Sequence, residues 1–240
     1  MGCYRQAVQR CCLGSAVITI GLPLAIWGQD YGQFLDRWLE GVNGLERKPD
    51  EIVVVTDEKN RGIADDLQTD IPFTTHFLRC ADYRLWDYAI RQLTTDWLAI
   101  CNVDDVFLPK ALNELQLADD AGCDIVLDRL RVRGSNHIWS GSFDPVVIPF
   151  QFTMPGAEPM KRKLYLDAGG FDYRFQFPDW AMAVHMVHRG LGKPYAASTE
   201  RILFDPGDTR LTMSGMNQSY NIKAAGTAQV HELSRSLGLL

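Results

Sequence analysis

Residues 97–105 read Trp97-Leu98-Ala99-Ile100-Cys101-Asn102-Val103-Asp104-Asp105, an apolar run that stops abruptly at two adjacent carboxylates. Its length and composition predict a buried strand, and the aspartates place negative charge where a sheet opens to solvent. Like charges this close repel, so the pair is costly unless a cation or strong donors neutralise it. A divalent metal, and through it a phosphate, is the first ligand this pattern suggests.

The surrounding pattern places that strand in a sheet. Ala16-Val17-Ile18-Thr19-Ile20-Gly21-Leu22 reads as a buried strand from its β-branched content. Tyr31 to Leu45 carries Phe34, Leu35, Trp38, Leu39 and Val42 at helical spacing. Glu51 to Asp57 is a second buried strand ending in a carboxylate, and Phe73 to Leu78 is a third, short one. Asp82 to Leu93 predicts a helix with Asp82 as N-cap. Pro109 to about Ala118 predicts another, with the proline in its first turn. Asp124 to Asp128 is a further strand. This alternation indicates an α/β fold with a mixed, mostly parallel sheet flanked by helices. Ligands of such sheets bind beyond the carboxyl ends of the strands, where Asp57 and Asp104-Asp105 both fall.

The second half differs. Residues 129–160 interleave glycine and proline with Trp139, Phe143, Phe150 and Phe152, which predicts irregular strands and loops around aromatic anchors. Lys161 to Ala168 reads as a helix closed by Gly169-Gly170, Trp180 to His188 as a helix closed by Gly190, and Arg201 to Phe204 as a late strand. A helix runs to about Leu237. The expected organisation is an N-terminal extension (1–15), a first half (16–128), a second half (129–214) and a helical tail (215–240).

The chain has 240 residues and a net charge of −6. That balance argues against a broad nucleic-acid-binding face, which needs clustered Lys and Arg, but leaves room for a local basic groove. The longest apolar run, Ala16 to Trp27, is interrupted by Gly21 and Pro23 and is too short to span a bilayer. Six cysteines show no metal-ligand spacing, so they read as reduced thiols of a cytoplasmic protein, with Cys101 in the core. His185 and His188 share a helix face without a third ligand and read as structural.

The order of these pieces resembles the family 2 glycosyltransferases, which have the GT-A (Rossmann-like) fold. Four matches carry the resemblance across residues 16–210. They are the first strand ending near Pro23 with Glu51 to Asp57 after it; Asn102-Val103-Asp104-Asp105 followed by Phe107-Leu108-Pro109; Lys161 through Gly169-Gly170-Phe171-Asp172; and Phe177-Pro178-Asp179-Trp180 leading to His188-Arg189-Gly190. The chain departs from the family's pattern at four places. Asn102 replaces the first acid of the metal motif, and Pro178 the acid before the acceptor-motif aspartate. Leu24-Ala25 replaces polar residues, and Asp87 stands where an asparagine is frequent.

The resemblance implies a single-domain, metal-dependent, inverting transferase, with residues 16–128 as its nucleotide-sugar-binding half and residues 129–214 as its acceptor-binding half. It would move a sugar from a UDP-, GDP- or dTDP-sugar to a hydroxyl acceptor. Asp104 and Asp105 would hold Mn²⁺ or Mg²⁺, hard cations suited to carboxylate oxygens. Pro23, Asp57, Asp87, Asn102 and Asp104 would contact the nucleotide sugar. Asp179 would be the general base, with Pro178 and Trp180 beside the acceptor, and Asp205 and Arg210 are candidates for the diphosphate or metal. A helix N-terminus would lower the Asp179 pKa, so Trp180 or Phe177 would have to restore its basicity. The acceptor class stays open: glycan, lipid-linked glycan, protein or nucleic-acid base. Two other readings compete. A nucleotidyltransferase should show a glycine-rich phosphate loop, which Gly21-Leu22-Pro23-Leu24-Ala25 is not. A non-catalytic sugar- or nucleotide-binding protein on the same fold is favoured by Asn102 and Pro178.

Overall fold

The computed structural model describes residues 16–27, 32–63, 69–80, 84–151, 153, 158–204 and 220–240. The strands are β1 (Ile20–Ile26), β2 (Glu51–Asp57), β3 (Phe73–Leu78), β4 (Trp97–Leu98), β5 (Val106–Phe107), β6 (Ile125–Leu127), β7 (Arg129–Val132), β8 (Ile138–Ser140), β9 (Met160–Lys161), β10 (Pro194–Ala196) and β11 (Ile202–Phe204). The helices are α1 (Gly32–Asn43), α2 (Arg84–Gln92), α3 (Leu115–Asp120), α4 (Arg162–Ala168), α5 (Pro178–His188) and α6 (Tyr220–Ser236). Seven strands form the main sheet, ordered β10-β6-β9-β4-β1-β2-β3. Within it β9 runs antiparallel to β4 and β6, and the other pairs are parallel. A second sheet, ordered β5-β11-β7-β8, extends from the turn after β4.

The sequence reading places β2 and β3 at their observed ends. The first strand, expected over Ala16–Leu22, lies instead over Ile20–Ile26, and Ala16 and Val17 are exposed. The strand expected over Trp97–Val103 pairs only at Trp97–Leu98, although Ala99, Ile100 and Cys101 stay buried.

The short pairing of β4 has a cause in β1. In a parallel strand, alternate residues turn their backbone groups to the same neighbour. The Gly21 carbonyl accepts from the Ala99 amide at 3.0 Å, so Gly21 faces β4, and Pro23 is the next residue to face that way. Proline has no N–H to continue the ladder. The β1–β4 pairing therefore stops, while Pro23 still sits in register with Val53 on the β2 side.

The helix expected over Pro109–Ala118 is a series of tight turns up to Asn113, and the α-helix starts at Leu115. Ala111, Asn113 and Leu115 donate to carbonyls three residues back. The Ala111 carbonyl takes the Arg201 Nε at 2.8 Å, where an α-helix would use the amide four residues on. Asp82, the expected cap of α2, lies outside the described residues.

The core follows the predicted stripes. Phe34, Leu35, Trp38, Leu39 and Val42 of α1 are all buried. Gly41 allows close packing on β5, because a Cβ there would lie 2.9 Å from Val106 Cγ1 and 3.1 Å from the Phe107 amide nitrogen. α2 packs over β1 and β2. Strands β9 and β10, from the half expected to bind acceptor, belong to the main sheet, so a cut after residue 128 would divide it.

A buried ion pair ties the two sheets together. Asp128, just past β6, accepts from Arg201 Nη1, just before β11, and both side chains are essentially inaccessible. Burial pushes the Asp128 carboxyl up to about 6, against the pull of Arg201. Removing one member strands the other charge. Arg201→Met alone is expected to cost about 3–5 kcal/mol in urea unfolding, and Arg201→Met with Asp128→Leu to recover most of that loss.

Candidate functional site

Where the β1–β4 ladder ends, the chain turns sharply. The Asp105 amide donates to the Asn102 carbonyl at 3.0 Å, and Asn102 Nδ2 donates to Asp105 Oδ2 at 3.4 Å. Helix α1 grips the same turn: Trp38 Nε1 donates to the Cys101 carbonyl at 3.1 Å, and Arg37 Nη2 to the Asp104 carbonyl at 2.7 Å. Asp104 and Asp105 are only 2% and 3% exposed. The field they create is felt by Cys101, whose thiol is pushed well up by burial and then by Asp105.

Two carboxylates on one tight turn are hard-oxygen donors of the kind Mg²⁺ or Mn²⁺ takes, with diphosphate oxygens and water in the remaining positions. Their burial at the carboxyl end of a parallel strand fits such a cation. Among the described residues no group of three His, Cys, Asp or Glu side chains is arranged to hold a metal by itself. Asn102 is therefore a polar neighbour of the pair and brings no charge.

Asp57 ends β2 at the same edge of the sheet. It is 5% exposed and caps a short 3-10 turn, Glu58–Asn60, its Oδ1 accepting from the Asn60 amide at 3.0 Å and Asn60 Nδ2 at 2.7 Å. Pro23, in the middle of β1, is enclosed in the sheet.

Asp179 lies in the first turn of α5, which begins two residues earlier than the expected Trp180, with Pro178 in its first turn. Phe177 occupies the cap position without a side-chain bond, so Asp179 is not the N-cap. Its Oδ1 accepts from the Trp180 amide at 2.9 Å. Burial raises the Asp179 carboxyl above its ordinary value and outweighs the backbone amides that lower it. The surroundings thus supply the basicity that the helix N-terminus alone would take away.

Pro178 and Trp180 point inward. Trp180 is 5% exposed and donates Nε1 to the Ile148 carbonyl at 2.7 Å. Its ring meets Phe177 at 6.3 Å and the His231 edge at 5.7 Å. Trp180 therefore fixes the frame around Asp179 and presents little surface to a ligand. Helix α6 completes that frame. Gln229 Oε1 accepts from the Gln176 amide at 3.1 Å, His231 Nε2 lies 2.8 Å from the Phe150 carbonyl, and Ser234 donates to the Pro149 carbonyl at 3.2 Å.

Asp87, expected to contact the nucleotide sugar, makes hydrogen bonds within the chain. Its Oδ1 accepts from the Tyr165 hydroxyl at 2.9 Å and its Oδ2 from Arg91 Nε at 2.7 Å, while the Tyr165 oxygen accepts from the Phe171 amide at 2.9 Å. Gly170, at φ +77°, passes so close that a Cβ would lie 2.5 Å from Asp87 Oδ1. Asp87 thus holds the Gly169-Gly170-Phe171 loop beside a cavity of about 430 Å³ that also meets His185 and Arg189. Asp205 and Arg210 lie outside the described residues.

Sequence reasoning missed Arg37, Tyr165, Arg201 and Gly226. Only Arg37 left a trace, one position before Trp38 on the apolar stripe of α1. The others act through contacts too distant along the chain for any local pattern to show.

No known protein family description matches the chain, and no curated protein matches it. Solved structures do share its architecture. TarS 1–349 from S. aureus, in complex with UDP-GlcNAc, superposes with a TM-score of 0.66 at 11% identity, over 82% of this chain and 61% of that one. TarS from S. aureus gives 0.64 at 11% identity, over 78% and 37%. The mannosyltransferase PcManGT from Pyrobaculum calidifontis, in complex with GDP-Man and Mn²⁺, gives 0.57 at 14%, over 76% and 55%. The fold is that of the GT-A glycosyltransferases. The chain spans between 37% and 61% of the length of these three neighbours.

Gly226 supplies a test of how α6 sets the Asp179 turn. A Cβ there would fall 2.6 Å from Phe177 Cε2 and 2.9 Å from Gln176 Cβ. Gly226→Ala is expected to destabilise the protein by about 1–3 kcal/mol through overpacking, measured by urea denaturation.

Proposed function

We propose that this chain is a metal-dependent, inverting glycosyltransferase that moves a sugar from a nucleotide-diphosphate sugar to a hydroxyl acceptor. The observation that carries the reading is the buried Asp104–Asp105 turn at the carboxyl end of β4, in a fold shared with structures that hold UDP-GlcNAc or GDP-Man and Mn²⁺. The raised carboxyl of Asp179 supports the assignment of the base.

In this reading Asp104 and Asp105 hold Mg²⁺ or Mn²⁺, which when bound stabilises negative charge on the departing diphosphate. Asn102 and Asp57 line the nucleotide end, and Pro23, enclosed in β1, acts only through its strand. Asp179 takes the proton of the acceptor hydroxyl as its oxygen bonds to the anomeric carbon. The bond from that carbon to the diphosphate breaks on the opposite face, and the nucleoside diphosphate leaves with the electron pair. Pro178 and Trp180 hold the Asp179 carboxylate in place. The buried free thiols of Cys101 and Cys123 suit a reducing, cytoplasmic setting. Among the described residues no helix is long and apolar enough to cross a membrane.

The substitution of Asn102 for an acid favours one second reading, binding of nucleotide or sugar without turnover. Calorimetry and a product assay separate the two. Asp105→Ala is expected to weaken Mn²⁺-dependent UDP or GDP binding by about 10–100-fold. Asp179→Asn is expected to leave that binding intact and lower turnover by about 10²–10⁴-fold. Nucleotide binding without transfer to any acceptor would favour the second reading, and full turnover in Asp179→Asn would remove the base from the mechanism.

The pH profile follows from the same carboxyl. A base acts deprotonated, so kcat/KM should fall as pH drops, with a midpoint above the ordinary carboxylate range because burial raises Asp179. A midpoint at or below the value of an exposed aspartate would contradict the assignment.

A further inference from the structure

We propose that β3, the terminal strand of the main sheet, is a dimerisation edge that pairs antiparallel with β3 of a second copy of this chain. The proposal goes beyond the glycosyl-transfer reading and does not depend on it.

The open edge is the first argument. β3 closes one side of the main sheet and pairs with β2 alone among the described residues. The Ile52 amide donates to the Pro72 carbonyl at 2.9 Å, so Pro72, Thr74, His76 and Leu78 turn their backbone groups toward β2. Phe73, Thr75 and Phe77 turn theirs away from the sheet. Folded proteins ordinarily guard such an edge by shortness, charge or proline. The other edges of this fold are guarded: β10 has three residues and starts at Pro194, β8 has three, and β5 has two. β3 has six residues, none of them Lys, Arg, Asp, Glu or Pro.

Self-complementarity is the second argument. Only one antiparallel register opposes all the outward residues to one another. Thr75 meets Thr75 of the copy across a two-fold axis, and Phe73 meets Phe77 in both directions. Each pair exchanges both backbone hydrogen bonds. The same register sets Phe77, which is 39% exposed, beside Phe73 of the copy, an aromatic cross-strand pair. The strand ends are complementary in charge. Asp70 precedes β3 and Arg79 follows it, and both are exposed. Carried past the strand, the register opposes Ile71 to Arg79, so Asp70 of one copy lies one position from Arg79 of the other. Arg61, whose guanidinium sits 4.1 Å from the Phe77 ring centroid, adds positive charge at the Arg79 end. Parallel pairing would instead bring Asp70 to Asp70. An unrelated extended peptide could use the same backbone groups. A second copy also brings matched length, the aromatic pair and opposite charges at both ends, and a two-fold dimer is the commonest closed assembly.

The test is sedimentation velocity on the full chain. One strand pair with its flanks falls in the small-interface class, so association is followed from about 1 to about 200 µM. Wild type is expected to pass from monomer to dimer, and the amides of Phe73, Thr75 and Phe77 to exchange deuterium more slowly as it does. Thr75→Pro removes an outward N–H at a position where an edge strand tolerates proline, and Thr75→Lys sets two like charges across the axis. Each is expected to weaken dimerisation by about tenfold or more. Asp70→Arg and Arg79→Asp are each expected to weaken it, and the double reversal to restore it, a rescue that a fold defect or a foreign peptide would not produce. A wild type that stays monomeric throughout would overturn the proposal. So would growth into open aggregates in place of a dimer, a dimer unchanged by Thr75→Lys, or a double reversal no better than its single members. Should Thr75→Pro lower the melting temperature, Thr75→Lys and the charge reversals decide. UDP or GDP binding with Mn²⁺ is titrated separately, and its failure would overturn the donor reading alone.

Discussion

The backbone hydrogen bond that Pro23 cannot make shapes the site. Parallel strands persist while each alternate residue can donate to its neighbour, and at Pro23 that donor is absent. The β1–β4 ladder closes at Leu98 and Ala99, although the chain beyond it is apolar enough to continue. Released from the sheet but still buried, Ala99 to Cys101 lead into a turn that brings two carboxylates to the sheet's edge. The grip of Trp38 and Arg37 on backbone carbonyls holds that turn from the α1 side. The proline does this without disturbing β2, because its missing donor faces the other way.

Electrostatics then differ between the Asp104–Asp105 turn and Asp179. Asp104 and Asp105 share one turn, so each raises the cost of charge on the other and both favour a cation. Asp179 stands on a helix terminus whose amides favour its charged form, yet burial prevails and its carboxyl is raised. One acidic residue type thus meets two environments, a carboxylate neighbour on one turn and a helix terminus on the other, and environments that differ in this way push carboxyl groups apart.

The sequence was legible where local patterning and tertiary environment agree. β2 and β3 alternate or run apolar between clear connectors and lie where expected, as do the helix closed by Gly169 and the late strand at Ile202–Phe204. It misled where a distant partner decided the outcome. The shortened β4 depends on a proline more than 70 residues earlier, and the broken helix after Pro109 on a guanidinium 90 residues later. The anchoring of the Gly169-Gly170-Phe171 loop by Asp87 through Tyr165 left no mark in the local pattern. Trp180 beside Asp179 reads as a contact for acceptor, but its partner is the Ile148 carbonyl. No spacing rule encodes these pairings.

The bracing of the Asp179 turn by α6 has an evolutionary consequence. The carboxylate turn is secured by α1 and the parallel strands, whereas Asp179 is secured by α5, α6 and the Ile148–Phe150 segment. The hydrogen bonds that hold the two turns come from different elements, although the apolar side chains around both belong to one continuous core. Variation is therefore tolerated more readily at the bonds around one turn than in the core that both share.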